Sequence, residues 1–219
     1  MRRARVVQRP GDPPHANHPP VPDAPPSPPP TPTARPGVTP GQVATRRLHQ
    51  GRIIALDVDT VRFPDGSTAE MDMVRHPGAS AVVPFLSDPR GDDPQVLLIK
   101  QYRYAAGGYL YEVPAGRLDP GEDPADCARR ELHEETGCTA ERVERLTTIF
   151  TTPGFCDEVI HLFLAAGLTR GQHRREHDEF LEVETLPLSR ALALIEQGEI
   201  RDGKTVSALL FAAGFRAGR

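Results

Sequence analysis

The order of the secondary-structure signals predicts an α/β protein, in which helices flank a mixed β-sheet as a sandwich. Three observations support this fold class: β-rich stretches before and after a single helix, two further helices near the C-terminus, and sufficient length. Of the 219 residues, 38% are hydrophobic. The roughly 174 residues that follow residue 45 are enough for one domain with a core of its own.

The first 45 residues differ in composition from the rest of the chain. Fourteen of the 24 prolines lie within the first 40 residues. Proline fixes the backbone angle φ and lacks an N–H donor, so this stretch is predicted to form neither a helix nor a central strand. Because few apolar side chains offset the entropy of ordering, residues 1–45 are predicted to be a disordered tail. The tail either has no binding role or is a docking site for a proline-binding module.

A β-hairpin is predicted next, in an N-terminal region assigned to residues 46–77. Arg52–Phe63 alternates apolar and polar side chains, FPDGS supplies a turn, and Thr68–Arg75 is extended again. Such a hairpin exposes strand edges unless another element covers them. The main domain is assigned to residues 78–219.

Strands and helices alternate in the main domain. Six strands are predicted there, at Ala79–Leu86, Gln95–Lys100, Tyr109–Val113, Arg145–Thr151, Val159–Ala165 and Phe180–Thr185. Asp123 before Pro124 is an N-cap followed by proline in the first helical position, and this helix is predicted to end at Gly137. Ser189 is predicted to cap the helix ALALIEQG, and a last helix covers about Lys204–Phe215.

Charge and composition argue against several classes of protein. The formal net charge is −4, which is unfavourable for a sequence-independent nucleic-acid binder. The longest apolar runs are far shorter than the roughly 20 residues of a membrane-spanning helix. Three cysteines without a CxxC spacing predict small buried side chains rather than disulfides or a zinc site. We therefore expect a cytoplasmic protein that binds neither nucleic acid nor membrane.

The helix that starts after Asp123 carries a concentration of acidic side chains. Glu131, Glu134 and Glu135 stand at positions i, i+3 and i+4, and like charges at this spacing destabilise a helix. Mg²⁺ would compensate, because it takes oxygen ligands and commonly bridges carboxylates to substrate phosphates. Arg130 stands beside these glutamates and could orient them. The alternative is a solvated acidic face, which is the usual meaning of a run of like charges.

Residues 116–138 place seven side chains at a specific spacing: Gly116, Glu122, Arg130, Glu131, Glu134, Glu135 and Gly137. This segment resembles the Nudix box, G-x5-E-x7-R-E-U-x-E-E-x-G-U, in which U is an apolar residue. Leu132 and Cys138 hold the apolar positions, and the cysteine is a mild departure. The resemblance implies the Nudix α/β/α sandwich, dependence on Mg²⁺ or Mn²⁺, and hydrolysis of a nucleoside diphosphate linked to another group.

Three segments outside the box resemble the ADP-ribose pyrophosphatases of that family. They are QYRYAAGGYLYEVPAG before the box, TTPGFCDE with Pro153 sixteen residues after Gly137, and HDEFLEV followed by GEIRDGKT near the C-terminus. The resemblance implies hydrolysis of ADP-ribose to AMP and ribose 5-phosphate, with other ADP-sugars as further candidates. Two alternatives stay open: a hydrolase of another nucleotide-sugar, such as a GDP- or UDP-hexose, and a nucleotide-sugar sensor without turnover.

The same resemblance implies the metal ligands and the catalytic groups. It implies that the metal ligands are the Ala115 carbonyl, Glu131 and Glu135, with Glu134 as a further or water-mediated ligand. Glu122 is a candidate for the same cluster. The general base in the resembled enzymes is a glutamate on a loop beyond the box, for which Glu179 is the best match and Glu176 the alternative. Arg130 joins Glu134 and Glu179 in the predicted catalytic set.

Substrate contacts and assembly are also implied by the resemblance. Arg103 is predicted to contact the diphosphate, and Pro153 to mark the substrate site. Glu112 is predicted either to hydrogen-bond the adenine or ribose or to brace Arg103. Relatives of this kind are homodimers in which the N-terminal hairpin packs on the partner, so a homodimer is expected.

Overall fold

The computed structural model describes residues 41–171 and 181–215. The strands are β1 (Gln42–Gln50), β2 (Ala55–Arg62), β3 (Thr68–Arg75), β4 (Ala79–Pro84), β5 (Gln95–Arg103), β6 (Gly108–Glu112), β7 (Ala115–Arg117), β8 (Cys138–Phe150), β9 (Val159–Arg170) and β10 (Leu181–Pro187). The helices are α1 (Pro124–Thr136), α2 (Leu188–Glu196) and α3 (Gly203–Phe215). Most of the predicted tail, up to residue 40, lies outside the described residues.

The first three strands form an antiparallel sheet in the order β1-β2-β3. The predicted hairpin is confirmed as β2 and β3, with a turn in which the Phe63 N–H donates to the Ser67 carbonyl. Strand β1 was not predicted, and it places residues 42–45 in the sheet rather than in the tail. Its side chains are almost all exposed, so no alternating apolar pattern in the sequence indicates this strand. Backbone pairing with β2, from Gln42 opposite Val61 onwards, holds it in place.

A buried charge network joins this sheet to the loop after β8. Asp57 and Asp59 stand two residues apart on β2, both buried, and share one face of the sheet. The Arg75 guanidinium, only 17% exposed, donates to Asp57 at 2.9 Å, to Asp157 at 3.1 Å and to Asp59. Arg47 gives Asp57 a second cation. Three carboxylates from two parts of the chain therefore share Arg75.

This network predicts that acid destabilises the fold through Asp57 and Asp59. The Arg47 hydrogen bond holds the pKa of Asp57 below its ordinary value. Burial raises the pKa of Asp59, but hydrogen bonds from Thr45 and Arg75 outweigh it and the pKa is lowered. Because the unfolded value is about 3.9, the stabilisation is present above that pH and is lost as pH falls through the lowered folded values.

Urea unfolding of the wild type and of Asp59→Asn, at pH values from 7 down to 2, measures this effect. The difference in free energy of unfolding between the two proteins should be largest at pH 7 and shrink below about pH 4. A difference that is the same at every pH would contradict the contribution of the Asp59 charge.

The main domain confirms the predicted α/β sandwich. A mixed sheet has the order β7-β4-β9-β8, with β4 and β9 parallel, and an antiparallel sheet has the order β10-β5-β6. Val82 of β4 packs in one core cluster with Leu132 of α1. Its neighbours Ala81 and Val83 pack in a second cluster with Leu209 of α3. Because successive strand residues face opposite ways, α1 and the C-terminal helices cover opposite faces of the sheet.

Among the predicted boundaries that differ from the structure, two have a clear cause, and strand β7 is an element that was not predicted. Helix α2 begins at Leu188, one residue before the predicted cap, Ser189. The Ser189 N–H and hydroxyl donate to the Asp93 carboxylate at 2.9 and 2.7 Å, so a residue of a different loop supplies the cap. Strand β8 begins at Cys138, seven residues before its predicted start at Arg145, because it pairs with β9 along that whole length.

The burial of the cysteines and the lengths of the helices agree with the predictions made from the sequence. Cys127, Cys138 and Cys156 are buried and free, as their spacing predicts. Within the described ranges, every helix is too short or too polar to cross a membrane.

Candidate active site

Helix α1 fixes the direction of the box glutamates. The Asp123 carboxylate accepts a hydrogen bond from the Ala125 N–H at 2.8 Å, and Gly137 ends the helix with φ of 70°. This confirms both predicted helix ends. Glu131 and Glu135 are one turn apart, and both are buried. The helix therefore turns two carboxylates inwards.

Strand β7 forms the opposite wall of the site. The Ala115 N–H donates to Glu135 Oε2 at 3.0 Å. Gly116 lies so close to Glu131 that a Cβ atom on it would stand 1.8 Å from Oε1. The backbone of Ala115 thus contacts the Glu135 carboxylate, and the backbone of Gly116 lies against the Glu131 carboxylate. We call Ala115, Gly116, Glu131 and Glu135 the carboxylate cradle.

The close approach of Gly116 gives a direct prediction. In Gly116→Ala, the new methyl group should push the Glu131 carboxylate aside, because a terminal group moves more easily than backbone. We expect kcat to fall about 100-fold, as for a misplacement of about 1 Å in a catalytic site, with a small change in unfolding temperature. Steady-state kinetics and thermal unfolding measure the two effects.

Gly214→Ala is the matched control, because the structure leaves open space around the position of its Cβ. It should leave kcat unchanged. A Gly116→Ala enzyme with wild-type kcat would show that the position of Glu131 does not matter for turnover.

Arg130 lies among the acidic side chains of the box. Its guanidinium donates to Glu122 at 2.9 Å, to Glu131 at 2.6 Å and to Glu134 at 3.0 Å, and also to the Arg117 carbonyl. The Arg130 hydrogen bond lowers the pKa of Glu122 to about 2. Across residues 41–171 and 181–215, no three acidic, histidine or cysteine side chains already converge as a set that could hold a metal ion. The single positive charge of Arg130 offsets part of the repulsion among three glutamates, so this cluster keeps a net negative charge.

The chemistry of the donors fits a hard cation such as Mg²⁺ or Mn²⁺. Every candidate ligand is a carboxylate or a backbone carbonyl oxygen, which such ions prefer. The nearby Cys127 thiol faces the carbonyls of Gly116 and Arg117. Burial raises the pKa of this thiol to about 12, so it is neutral in the metal-free protein.

Arg103 and Glu112 form a second charged group, at the end of β6. Arg103 donates from Nε and Nη2 to the two Glu112 oxygens, at 2.7 and 2.8 Å. Glu112 is 1% exposed and Arg103 is partly exposed. Burial raises the pKa of Glu112, but the hydrogen bonds and charges of Arg103 and Lys204 outweigh it and keep that pKa low. Of the two predicted contacts of Glu112, the structure shows the one with Arg103.

Electrostatics connects this group to the cradle. The pKa of Arg103 is raised, first by its hydrogen bond to Glu112 and further by the charge of Glu135. Ala115, whose N–H contacts Glu135, follows Glu112 by three residues. A cation and the carboxylate cradle are thus close enough to interact.

Pro153, Glu176 and Glu179 complete the predicted site residues. Pro153 is exposed in the loop between β8 and β9. That loop makes backbone hydrogen bonds to β3, from the Val74 N–H to the Phe155 carbonyl at 2.7 Å and from the Asp157 N–H to the Val74 carbonyl at 3.1 Å. Glu176 and Glu179, the two candidates for the base, lie outside the described residues.

Sequence analysis missed Lys204 and Thr205 as site residues. Lys204 contacts Glu112, and Thr205 accepts a hydrogen bond from the Val113 N–H at 2.9 Å. Both belong to the segment GEIRDGKT, whose resemblance to ADP-ribose pyrophosphatases assigns no role to either residue. No spacing rule connects residue 204 with residue 112, so only the fold reveals the contact.

Comparison with known proteins decides the family. The profile of the NUDIX domain matches residues 76–209, which include the cradle, Arg103 and Lys204. The chain belongs to the NUDIX family. Its resemblance to the Nudix box is thereby confirmed, and so is the prediction that it is a NUDIX hydrolase.

Individual NUDIX relatives cover most of the chain. An ADP-ribose pyrophosphatase of Bacillus subtilis is 39% identical over 171 residues, which are 77% of this chain and 90% of that protein. A methanol dehydrogenase activator of Bacillus methanolicus has the same identity and the same coverage. The crystal structure of an ADP compounds hydrolase has a TM-score of 0.67, covers 80% of this chain and 92% of its own, and is 22% identical. That last likeness supports the fold alone.

Proposed function

We propose that this NUDIX protein hydrolyses the diphosphate of ADP-ribose to AMP and ribose 5-phosphate. The observation that carries the proposal is the carboxylate cradle, which offers oxygen ligands for a cation. It begins three residues after Glu112, the residue that holds the cationic Arg103. The similarity to the ADP-ribose pyrophosphatase over 90% of that protein's length supports the choice of substrate.

In this mechanism, Glu131, Glu135 and the Ala115 carbonyl would hold Mg²⁺ or Mn²⁺, with Glu134 as a further ligand. When bound, the ion supplies charge for the diphosphate and lowers the pKa of a water nucleophile. Arg130 orients Glu131 and Glu134 through its hydrogen bonds to both.

The remaining steps belong to groups that bind substrate or move a proton. Arg103 donates to the diphosphate, because a planar guanidinium matches phosphate oxygens. Glu112 holds Arg103 for this contact, and Pro153 marks the loop that receives the substrate. Glu179 takes the proton of the attacking water, with Glu176 as the alternative base. Phosphoryl-type displacement needs little else, since positioning and charge do most of the catalysis.

A substrate panel tests this proposal. Release of the nucleoside monophosphate is measured with Mg²⁺: AMP from ADP-ribose and NADH, GMP from GDP-mannose, and UMP from UDP-glucose. The highest kcat/KM should be for ADP-ribose, since a pocket built to hydrogen-bond one base rejects others strongly. Turnover of another nucleotide-sugar instead would keep the NUDIX chemistry and overturn the substrate. Binding of ADP-ribose without turnover of any compound would indicate a sensor.

Activation of a partner enzyme is a second candidate, because the Bacillus methanolicus relative is equally similar and is named for such a role. Activation through a protein contact alone does not need the carboxylate cradle. Glu135→Gln separates the two candidates: it should abolish hydrolysis and leave a purely contact-based activation unchanged.

We further propose a homodimer that uses the N-terminal sheet. Large apolar side chains are exposed on and beside it: Val43, Leu48, Ile53, Ile54 and Phe63. A second copy of the chain would cover them, and also the free edge of β1. Sedimentation at micromolar concentration should give twice the mass of one chain, and a single-chain mass would contradict the dimer. The three free cysteines fit our proposal of a reducing, cytoplasmic compartment.

A further inference from the structure

Glu112 lies between two cations at the junction of β6 and α3. Arg103 binds both of its oxygens from one side, and Lys204 Nζ contacts Oε2 from the other. A carboxylate buried this deeply is stable only if its charge is matched. Lys204 is one of only two lysines in the chain, which otherwise uses arginine as its cation.

The start of α3 holds Lys204 in this position. Asp202 accepts from Lys204 Nζ at 3.0 Å, and the same carboxylate oxygen accepts from the Thr205 N–H and hydroxyl at 3.0 and 2.6 Å. The Thr205 hydroxyl in turn accepts from the Val113 N–H. Helix α3 is therefore bonded to two adjacent residues of the chain, the side chain of Glu112 and the backbone of Val113.

This arrangement fixes the orientation of the Arg103 guanidinium and sets the electrostatic potential around it. Its Nε and Nη2 are used by Glu112, so the plane of the guanidinium is set, and Nη1 has no hydrogen bond within the described residues. Because Lys204 lies between Glu112 and Asp202, these three side chains and Arg103 together carry no net charge. Without Lys204 the group would carry one net negative charge, and less positive potential would reach an anion.

We propose that Lys204 is a positioning residue for diphosphate binding, which acts on the substrate through Glu112 and Arg103. This inference rests on the proposed function only in assigning the diphosphate to Arg103. It makes the N-terminus of α3, remote in sequence from the box, part of the machinery that orients the substrate.

A double-mutant cycle tests the proposal in the full chain. The variants are Lys204→Met, Arg103→Met and the double variant, and Lys100→Met is the matched control. Lys100 stands over the Tyr111 ring and makes no contact with Glu112 among the described residues. The readouts are the Kd of the non-hydrolysable methylene analogue of ADP with Mg²⁺, by calorimetry, and kcat and KM for ADP-ribose.

We expect Lys204→Met to raise the Kd and KM about tenfold, with kcat within about threefold of wild type. In the Arg103→Met background the same change should add less than about twofold, because coupled residues are non-additive. Lys204→Arg should restore binding, and Lys100→Met should change nothing. Additive effects of Lys204→Met and Arg103→Met, or a fall in kcat with unchanged KM, would overturn the proposal.

A further comparison covers the case in which Lys204→Met fails to fold. Glu112→Gln with Lys204→Met removes both charges, and it should bind the analogue as Glu112→Gln alone does. A weaker affinity of the double variant would mean that Lys204 acts on the ligand directly. If the wild type hydrolyses no nucleotide-sugar, the proposed function fails, yet analogue binding still decides this inference. A wild type that does not bind the analogue overturns the inference as well.

Discussion

Glu135→Gln is expected to lower kcat about 1000-fold while the fold stays intact, because a cation held for phosphate chemistry supplies several kcal/mol. Glu135 is buried and accepts the Ala115 N–H, and glutamine keeps both its size and an oxygen acceptor. What the substitution removes is the negative charge. A lost hydrogen bond alone would cost far less, about 1 kcal/mol or fivefold.

The measurement is kcat for ADP-ribose over a range of Mg²⁺ concentrations, together with thermal unfolding. Glu144→Gln is the matched control, since Glu144 is an exposed glutamate in a surface ion pair with Arg142, and such pairs contribute little. The control should keep wild-type kcat. If Glu135→Gln retains more than about a tenth of wild-type kcat at saturating Mg²⁺, the proposed ligand role is wrong.

Arg75→Met is expected to lower the free energy of unfolding by about 3–5 kcal/mol, the cost of removing one partner from a buried ion pair. Three carboxylates depend on Arg75: Asp57, Asp59 and Asp157. Arg47 and Gln42 still contact two of them, which limits the loss. Total stabilities are only about 5–15 kcal/mol, so this is a large share.

Urea unfolding at pH 7 measures the loss, and hydrogen exchange shows whether the N-terminal sheet opens before the main domain. Arg62→Met is the control, because Arg62 is exposed at the end of β2. Its effect should stay within about 0.5 kcal/mol. A loss for Arg75→Met of less than about 1 kcal/mol would mean that water and Arg47 replace the guanidinium.

Arg75→Met also tests the loop that carries Pro153. Asp157 follows Pro153 by four residues, and it binds both the Arg75 side chain and the His76 N–H. When Arg75 is removed, Asp157 loses one of these two contacts, while the backbone hydrogen bonds of the loop to Val74 remain. If the loop receives the substrate as proposed, KM for ADP-ribose should rise in a folded Arg75→Met enzyme.

The local parts of the site could be predicted because their signals lie close together in sequence. The cap at Asp123, the stop at Gly137 and the spacing of the glutamates are all set within residues 116–138. Burial of Glu131 and Glu135 follows from the same helical period. The hairpin of β2 and β3 was predictable for a similar reason, since a turn and alternating strands are local features.

Features that depend on remote contacts could not be predicted. Strand β1 is polar and exposed, so only pairing with β2 defines it. The cap of α2 comes from Asp93, about 95 residues before Ser189, where the sequence suggested a self-contained cap.

The sequence by itself determined the sandwich, the family resemblance and the chemistry of the cradle, because secondary-structure period and the box are properties of short segments. Only the tertiary structure decided which remote charges meet: Arg75 among three aspartates, and Lys204 against Glu112. Long-range ion pairs produce no periodic pattern in the sequence, because the sequence does not show which arginine or lysine the fold buries beside a carboxylate.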